Sequence, residues 1–132
     1  MTNRELIQAF VDRINAHDVA GLGELMSDDH TFIDAHGNQV SGKDQMLAGW
    51  HGYFDWFPDY FIEVSEVFAP EATASDQSFA MFGFAGGSFK GNADAAWRLP
   101  AAWKATVKDN HVTLWQVFAD TKIPFEIIER ND

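Results

Sequence analysis

The sequence predicts an α+β fold in which a curved antiparallel or mixed sheet wraps around a long helix and encloses a pocket. Three observations support this prediction. Helical periodicities dominate the first part of the chain. Four apolar segments follow, and their spacing is typical of strands joined as antiparallel hairpins. The aromatic content is also high, with 12 Phe and 5 Trp in 132 residues. A chain of this length is typical of one domain, so residues 1–132 are predicted to form a single unit.

Three helices are predicted in the first part of the chain. Apolar residues recur at helical spacing over residues 3–15, 19–26 and 43–57. Asp18 and Ser41 stand before the second and third of these segments, where a short polar side chain favours the start of a helix. The third helix is the longest, and its apolar stripe is predicted to face the sheet.

One strand is predicted between the second and third helices and four more after them. "SDDH" is interpreted as a turn before the first strand, residues 31–36, and "HGNQVSG" as a loop after it. A polar connection, "APEATASDQ", separates the second strand from the third. Pro100 lies inside the fourth strand and indicates a bulge or a sheet edge, because proline cannot donate a ladder hydrogen bond. The later strands are predicted over residues 60–65, 78–87, 95–107 and 112–119.

The charge and cysteine content exclude several classes of function. The chain has 9 basic and 20 acidic residues, a formal charge of -11, which repels nucleic acid and anionic membranes. It has no cysteine, and therefore no disulfide, thiolate metal site or cysteine nucleophile. No segment approaches the roughly 20 apolar residues of a membrane span, and the N-terminus lacks a signal-peptide core. The prediction is a cytoplasmic protein without nucleic-acid or membrane partners.

Three quoted segments resemble a known family. "INAHDVAGLGELMSDDHTFIDAHG", "SGKDQMLAGW" and "LWQVFAD" are similar to the SnoaL-like branch of the nuclear transport factor-like superfamily, whose relatives include ketosteroid isomerase, limonene epoxide hydrolase and polyketide cyclases. The resemblance implies a cone-shaped α+β barrel with a deep pocket. It also implies a homodimer formed through the outer sheet face and chemistry without a cofactor. Because one fold can support unrelated reactions, it does not imply which reaction occurs.

No relative's catalytic set is complete in this chain. Asp34 matches the aspartate base of ketosteroid isomerase, but Phe10 stands at its oxyanion tyrosine, and Ala101 or Ala102 at its protonated aspartate. Steroid isomerisation is therefore not expected.

The other two relatives also match in part. Arg98 is the one basic candidate for the epoxide hydrolase arrangement, and "RLP" supplies no carboxylate two residues later. Asp120 matches the acid/base aspartate of polyketide cyclases, whereas residues 104–106 lack the histidine partner.

Asp34, His36 and Asp120 are the predicted catalytic residues. In an extended chain Phe32, Asp34 and His36 share one face. A carboxylate surrounded by aromatic side chains loses solvation, which would raise the pKa of Asp34 and suit it to act as a general base. The alternative is that Asp34 only bonds a neighbouring loop, that His36 is an exposed turn residue and that Asp120 makes turn bonds.

Eight aromatic residues are predicted to contact the substrate, although side chains of this kind also fill protein cores. They are Phe10, Trp50, Tyr53, Phe54, Phe57, Tyr60, Trp97 and Trp103.

A metal site is not predicted, although His30, Asp34 and His36 share strand parity. At about 3.3 Å per residue, His30 and His36 lie roughly 20 Å apart in an extended strand. Ligands that bind zinc at about 2 Å cannot span that distance.

The predicted function is cofactor-independent acid/base chemistry, of isomerase, cyclase or hydrolase type, on an apolar compound that bears a carbonyl or hydroxyl group. Asp34 would be the base and Asp120 a second acid/base group. Two alternatives stay open. One is a domain that binds a small apolar ligand without converting it, and the other is a dimeric interaction scaffold.

Overall fold

The computed structural model describes residues 1–71 and 77–130, and in these residues it contains four α-helices and six β-strands. Part of the predicted polar connection at residues 69–77 lies outside the described residues. Two short 3₁₀ turns, Phe89–Gly91 and Ala93–Ala95, precede the fifth strand. The elements in chain order are α1 Asn3–Asn15, α2 Val19–Leu25, β1 Met26–Ile33, β2 Gln39–Ser41, α3 Lys43–Trp56, β3 Phe61–Phe68, β4 Gln77–Ser88, β5 Ala96–Lys108, β6 His111–Ala119 and α4 Lys122–Arg130.

The six strands form one mixed sheet in the order β2-β1-β6-β5-β4-β3. Every neighbouring pair is antiparallel except β1 and β6, which run parallel. The predicted α+β class and mixed sheet are confirmed. The sheet is open, however, because β2 and β3 form its two edges and do not pair with each other. The predicted barrel is therefore not closed.

The first strand differs most from its prediction. It begins at Met26, directly after α2, so that "SDDH" belongs to the strand and is not a turn. Its pairing with β6 shifts register between Met26 and Thr31, and its burial does not alternate regularly. This irregularity hides the period of two on which a strand prediction depends. The strand ends at Ile33, three residues before its predicted end, so Asp34 and His36 lie in the following turn and not on one face of a strand as predicted.

Two elements were not predicted, β2 and α4. The short β2 strand pairs with β1 inside the segment that was interpreted as a loop. Ser41 belongs to β2 and does not cap α3 as predicted; Gly42 occupies that position with a φ of 100°, which favours glycine. The other predicted cap is confirmed, since the Asp18 carboxylate accepts from the Gly21 N–H at 2.9 Å.

Pro100 lies in an interior strand without a local register shift on the β4 side, where it pairs with Phe84. The β5–β6 pairing begins one residue later, at Ala101. At Pro100 β5 therefore has no paired residue on the β6 side, so Pro100 lies just outside the β5–β6 ladder.

The helices pack against the sheet around an aromatic core. α1 contacts β3, β5 and β6, whereas α3 contacts β1 and β2. Among the described residues, His30 is the most deeply buried polar side chain, with no exposed surface. One ring nitrogen, Nδ1, lies 2.7 Å from the Val112 carbonyl oxygen, and Nε2 has no hydrogen-bond partner among the described residues.

The Asn15 side chain covers the exposed edge of β3 at the end of α1. Its amide oxygen accepts from the Ile62 N–H at 2.8 Å, and its amide nitrogen donates to the Ile62 carbonyl at 3.0 Å. This pair of bonds imitates strand pairing and fixes the start of β3 to the helices.

In the described part of the chain, no helix is long and apolar enough to cross a membrane.

Candidate functional site

A cavity of about 310 Å³ lies between α3, the β1–β2 hairpin, the end of β6 and α4. Most of its wall is apolar, which is typical of small-molecule sites. Its apolar lining residues are Phe32, Ala35, Val40, Met46, Gly49, Trp50, Val117 and Phe125, and its polar ones are Asp34, His36, Gln45, Tyr53, Tyr60 and Thr121.

One face of α3 forms the longest continuous part of the wall. Residues 45, 46, 49, 50 and 53 all line the cavity, and their spacing of three and four places them on the same side of a helix. Trp50 is buried, and its indole N–H has no acceptor among the described residues.

Tyr53 and Tyr60 carry the polar groups of the inner wall. Their rings meet edge to face, with centroids 4.9 Å apart. Neither phenol oxygen has a hydrogen-bond partner among the described residues. Burial raises the pKa of Tyr53 and Tyr60 above the usual value of a phenol. Both hydroxyls therefore keep their protons and can donate to a ligand.

Asp34 begins the turn between β1 and β2 and lines the cavity. Its Oδ1 accepts from the backbone N–H groups of His36, at 2.8 Å, and Asn38, at 2.9 Å, and its Oδ2 accepts from the Asn38 side chain at 3.1 Å. Burial by itself raises the pKa of this carboxyl, but the bonds from Asn38 and His36 outweigh burial and lower it. The predicted rise in the pKa of Asp34 is therefore wrong, because this carboxylate is an acceptor in a turn.

His36 contacts α4 at the outer edge of the cavity. Its Nε2 lies 2.7 Å from the Thr121 hydroxyl, and its ring meets Phe125 edge to face at 5.0 Å. His36 is an exposed side chain, in keeping with the turn position considered from the sequence. These two contacts join the hairpin to α4 and complete the cavity wall on that side.

Asp120 lies outside the cavity wall. Its Oδ1 accepts from the Lys122 N–H at 3.1 Å, at the start of α4, and the residue is exposed. The next residue, Thr121, lines the cavity instead. Asp120 therefore bonds the backbone of a turn, which was the alternative to a catalytic role in the sequence analysis.

The eight predicted contact residues divide into two groups. Trp50, Tyr53 and Tyr60 line the cavity, and Trp50 and Tyr60 also belong to the hydrophobic core, whereas the other five lie in the core without lining the cavity. The core group packs on other faces of its helices and strands, as Phe57 does on Trp97 with ring centroids 5.3 Å apart. These core residues are Phe10, Phe54, Phe57, Trp97 and Trp103.

Sequence reasoning missed Thr121 and Phe125 because it did not predict α4. A signal was present: Asp120 precedes "TKIPFEIIER", in which apolar residues recur at helical spacing. Gln45 and Gly49 were also missed, although they lie at helical spacing from Tyr53 along α3. Counting that spacing from the aromatic residues would have identified them.

In the described ranges, no group of three or more histidine, aspartate and glutamate side chains could hold a metal ion.

Comparison with known proteins identifies the fold and the family. The family model of the SnoaL-like domain matches residues 7–123. No protein of curated function matches the chain. Among solved structures, a protein assigned as a SnoaL-like polyketide cyclase from Shewanella denitrificans has a TM-score of 0.78 and 12% identity, covering 96% of each chain.

Two further structures show the same fold. An LEH-like epoxide hydrolase of M. tuberculosis has a TM-score of 0.75 and 13% identity, covering 96% of this chain and 84% of its own. A hypothetical protein from Catenulispora acidiphila with a ketosteroid isomerase-like fold, solved with trimethylamine, has a TM-score of 0.74 and 18% identity. That match covers 89% of this chain and 86% of the other.

These comparisons establish the class of protein as the α+β fold shared by ketosteroid isomerase-like proteins, and the resemblance predicted from the sequence is confirmed. Because the family model spans most of its length, the chain belongs to the SnoaL-like domain family.

Proposed function

We propose that the protein binds a small, mostly apolar molecule that carries a carbonyl or hydroxyl oxygen. The observation that carries this proposal is the pair of phenol hydroxyls, Tyr53 and Tyr60, in a largely apolar cavity without a protein partner. A phenol hydroxyl that lines a cavity can donate a hydrogen bond to a ligand oxygen. A carbonyl or hydroxyl oxygen of a ligand would accept such a bond from either tyrosine.

The size and burial of the cavity support a compact ligand held in one orientation. Its volume of about 310 Å³ is at the lower end of the roughly 300–1,000 Å³ of small-molecule sites. Tyr60 is buried, whereas Asp34 is half-buried and His36 is exposed. The ligand oxygen would therefore lie at the inner end, and its other end near the β1–β2 turn.

Acetophenone and ethylbenzene form a matched pair of probes, since they have similar shapes and only the first has a carbonyl. We expect Tyr53→Phe to weaken acetophenone binding about 2- to 13-fold, as the loss of a neutral hydrogen bond of roughly 0.5–1.5 kcal/mol predicts. Ethylbenzene binding should not change. Quenching of tryptophan fluorescence measures both. If the Tyr53→Phe, Tyr60→Phe double variant binds acetophenone as well as the parent does, the proposal is wrong.

Acid/base catalysis is a second candidate, favoured by the presence of the Asp34 carboxylate in the wall of the same cavity as two phenol donors. Removal of a proton next to a carbonyl requires a base and a donor for the developing oxyanion. Asp34 would be the base and the phenols the donors. The lowered pKa of Asp34 makes it a weak base, so we expect slow turnover.

Exchange of the methyl deuterons of acetophenone-d3 with water, followed by NMR, tests this candidate directly. The parent protein should accelerate exchange above the buffer rate, and Asp34→Asn should abolish the acceleration while retaining acetophenone binding. Exchange at the buffer rate with the parent protein would refute catalysis and leave binding alone, and accelerated exchange that Asp34→Asn retains would refute the role of Asp34 as the base.

We further propose that a second copy of this chain covers the outer face of the sheet. Phe82 and Phe118 lie in one row across β4, β5 and β6, with only Ala102 between them. They are 45% and 50% exposed, which is unusual for phenylalanine on a sheet that faces water. Phe68, which contacts Phe82 edge to face at 5.7 Å, extends this apolar surface.

Light scattering after size-exclusion chromatography tests the homodimer. The parent chain should have twice the mass of one chain, and Phe118→Asp should convert it to a monomer. Ala20→Asp, which adds the same charge at an exposed position of α2, is the control and should leave the dimer intact. A monomeric parent chain would refute this proposal. The cytoplasmic location remains a prediction from the sequence.

A further inference from the structure

Among the described residues, the cavity wall contains the rings of five Phe, Tyr and Trp side chains and one carboxylate. Neighbouring rings stand at steep angles: 67° between Phe32 and Trp50, 88° between Trp50 and Tyr53, and 89° between Tyr53 and Tyr60. The fifth ring, Phe125, lies at the outer side. Rings at such angles can surround a compact group from several directions, as in the aromatic cages that bind methylated ammonium groups.

The charges of the wall favour a cation over an anion. Asp34 is its one carboxylate, and no lysine or arginine lines the cavity in the part of the chain that the structure describes. The remaining titratable side chains of the wall are His36, Tyr53 and Tyr60. Three N–H groups bond the Asp34 carboxylate, which stabilises its charged form. The whole chain, at -11, adds to the negative potential.

We infer that the ligand of this cavity carries an alkylated ammonium group, which lies between the aromatic rings and the Asp34 carboxylate. This inference depends on the proposed function, because it adds a positive charge to the same ligand whose oxygen would bond the phenols. The ligand class is then a small amine with tertiary or quaternary nitrogen and a carbonyl or hydroxyl group at its other end.

Three probes of nearly the same shape test the charge alone. Choline is the cation, 3,3-dimethylbutan-1-ol is the neutral molecule with carbon in place of nitrogen, and 3,3-dimethylbutanoate is an anion. In a cavity that is only hydrophobic, the neutral alcohol binds more tightly, because a cation loses hydration on entering. We expect instead that choline binds at least fivefold more tightly than the alcohol, and that the anion does not bind.

Three variants assign the preference to named groups. Asp34→Asn retains the Oδ1 atom that accepts both backbone N–H groups, so the turn is preserved while the charge is removed. It should reduce the preference for choline to less than twofold. Phe125→Leu, at a residue that is 49% exposed, should weaken choline binding more than alcohol binding. Asp55→Asn removes an exposed charge of α3 outside the cavity and is the matched control.

Line broadening and chemical-shift changes in NMR titrations measure affinities in the millimolar range for all three probes. Equal or tighter binding of the alcohol would overturn the inference and leave the proposed small-molecule site intact. The inference also fails if choline does not bind, or if Asp34→Asn and Asp55→Asn behave alike. Acetophenone binding that does not respond to the loss of both tyrosine hydroxyls would instead refute the proposed function itself.

Discussion

Replacement of His30 by asparagine should remove an acid-sensitive part of the protein's stability. Burial lowers the pKa of His30, although the hydrogen bond with Val112 and the charge of Asp29 oppose this in part. Above pH of about 6.5 the imidazole is neutral in both the folded and the unfolded chain. Below that pH the unfolded chain binds a proton that the folded chain does not, so acid favours unfolding.

The expected size follows from one proton per molecule. The free energy of unfolding should fall by up to about 1.4 kcal/mol per pH unit as the pH decreases from about 6.5 toward the lowered pKa of the folded state. The asparagine side chain can still donate to the Val112 carbonyl, but it does not titrate. The variant should lack this slope and be less stable at pH 8 by roughly 1–3 kcal/mol, because it fills less volume.

Urea denaturation followed by tryptophan fluorescence, at intervals from pH 8 to pH 5, gives the slope for each protein. His111→Asn is the matched control, because His111 is exposed, and it should retain the slope of the parent chain. Parallel curves for the parent chain and His30→Asn would refute the reasoning. They would show that His30 takes up its proton without unfolding.

Three further predictions concern the scaffold, and denaturant midpoints measure all of them. Gly83→Ala should destabilise the protein by more than about 3 kcal/mol, because its Cβ would overlap the Glu63 carbonyl oxygen of the paired strand. Gly52→Ala, in an open position on α3, should stabilise it by about 0.5–1 kcal/mol, and a loss there would contradict the open position. Asn15→Ala should cost roughly 1–3 kcal/mol because it leaves both Ile62 groups unpaired; an unchanged midpoint would show that water replaces the amide without cost.

The sequence was sufficient to predict the elements whose periodicity is unbroken. α1, α2 and α3 follow the helical spacing of their apolar residues, and β3 to β6 follow alternation or continuous apolar runs. Prediction was wrong where pairing and not periodicity determines the structure. β1 is irregular because its register on β6 shifts after Met26, and β2 is a strand only because β1 lies beside it.

The site was predictable in its composition and less so in its chemistry. Trp50, Tyr53 and Tyr60 line the cavity, and they are three of the eight aromatic residues that were predicted to contact a ligand because large flat side chains form pocket walls as well as cores. The pKa of Asp34 was predicted in the wrong direction because it depends on Asn38, whose N–H groups reach the carboxylate only once the hairpin turn has formed. Hydrogen bonds made across a turn cannot be inferred from hydrophobic pattern alone.

The parallel pairing of β1 and β6 has a consequence for how the protein matures during synthesis. Phe32 is among the first wall residues to leave the ribosome, and Thr121 and Phe125 are the last. Until β6 and α4 emerge, Phe32 and Trp50 have no opposite wall, and β1 lacks its long partner. Such distant pairings form late. The apolar side chains of Phe32 and Trp50 therefore stay exposed to water until the end of the chain has been synthesised.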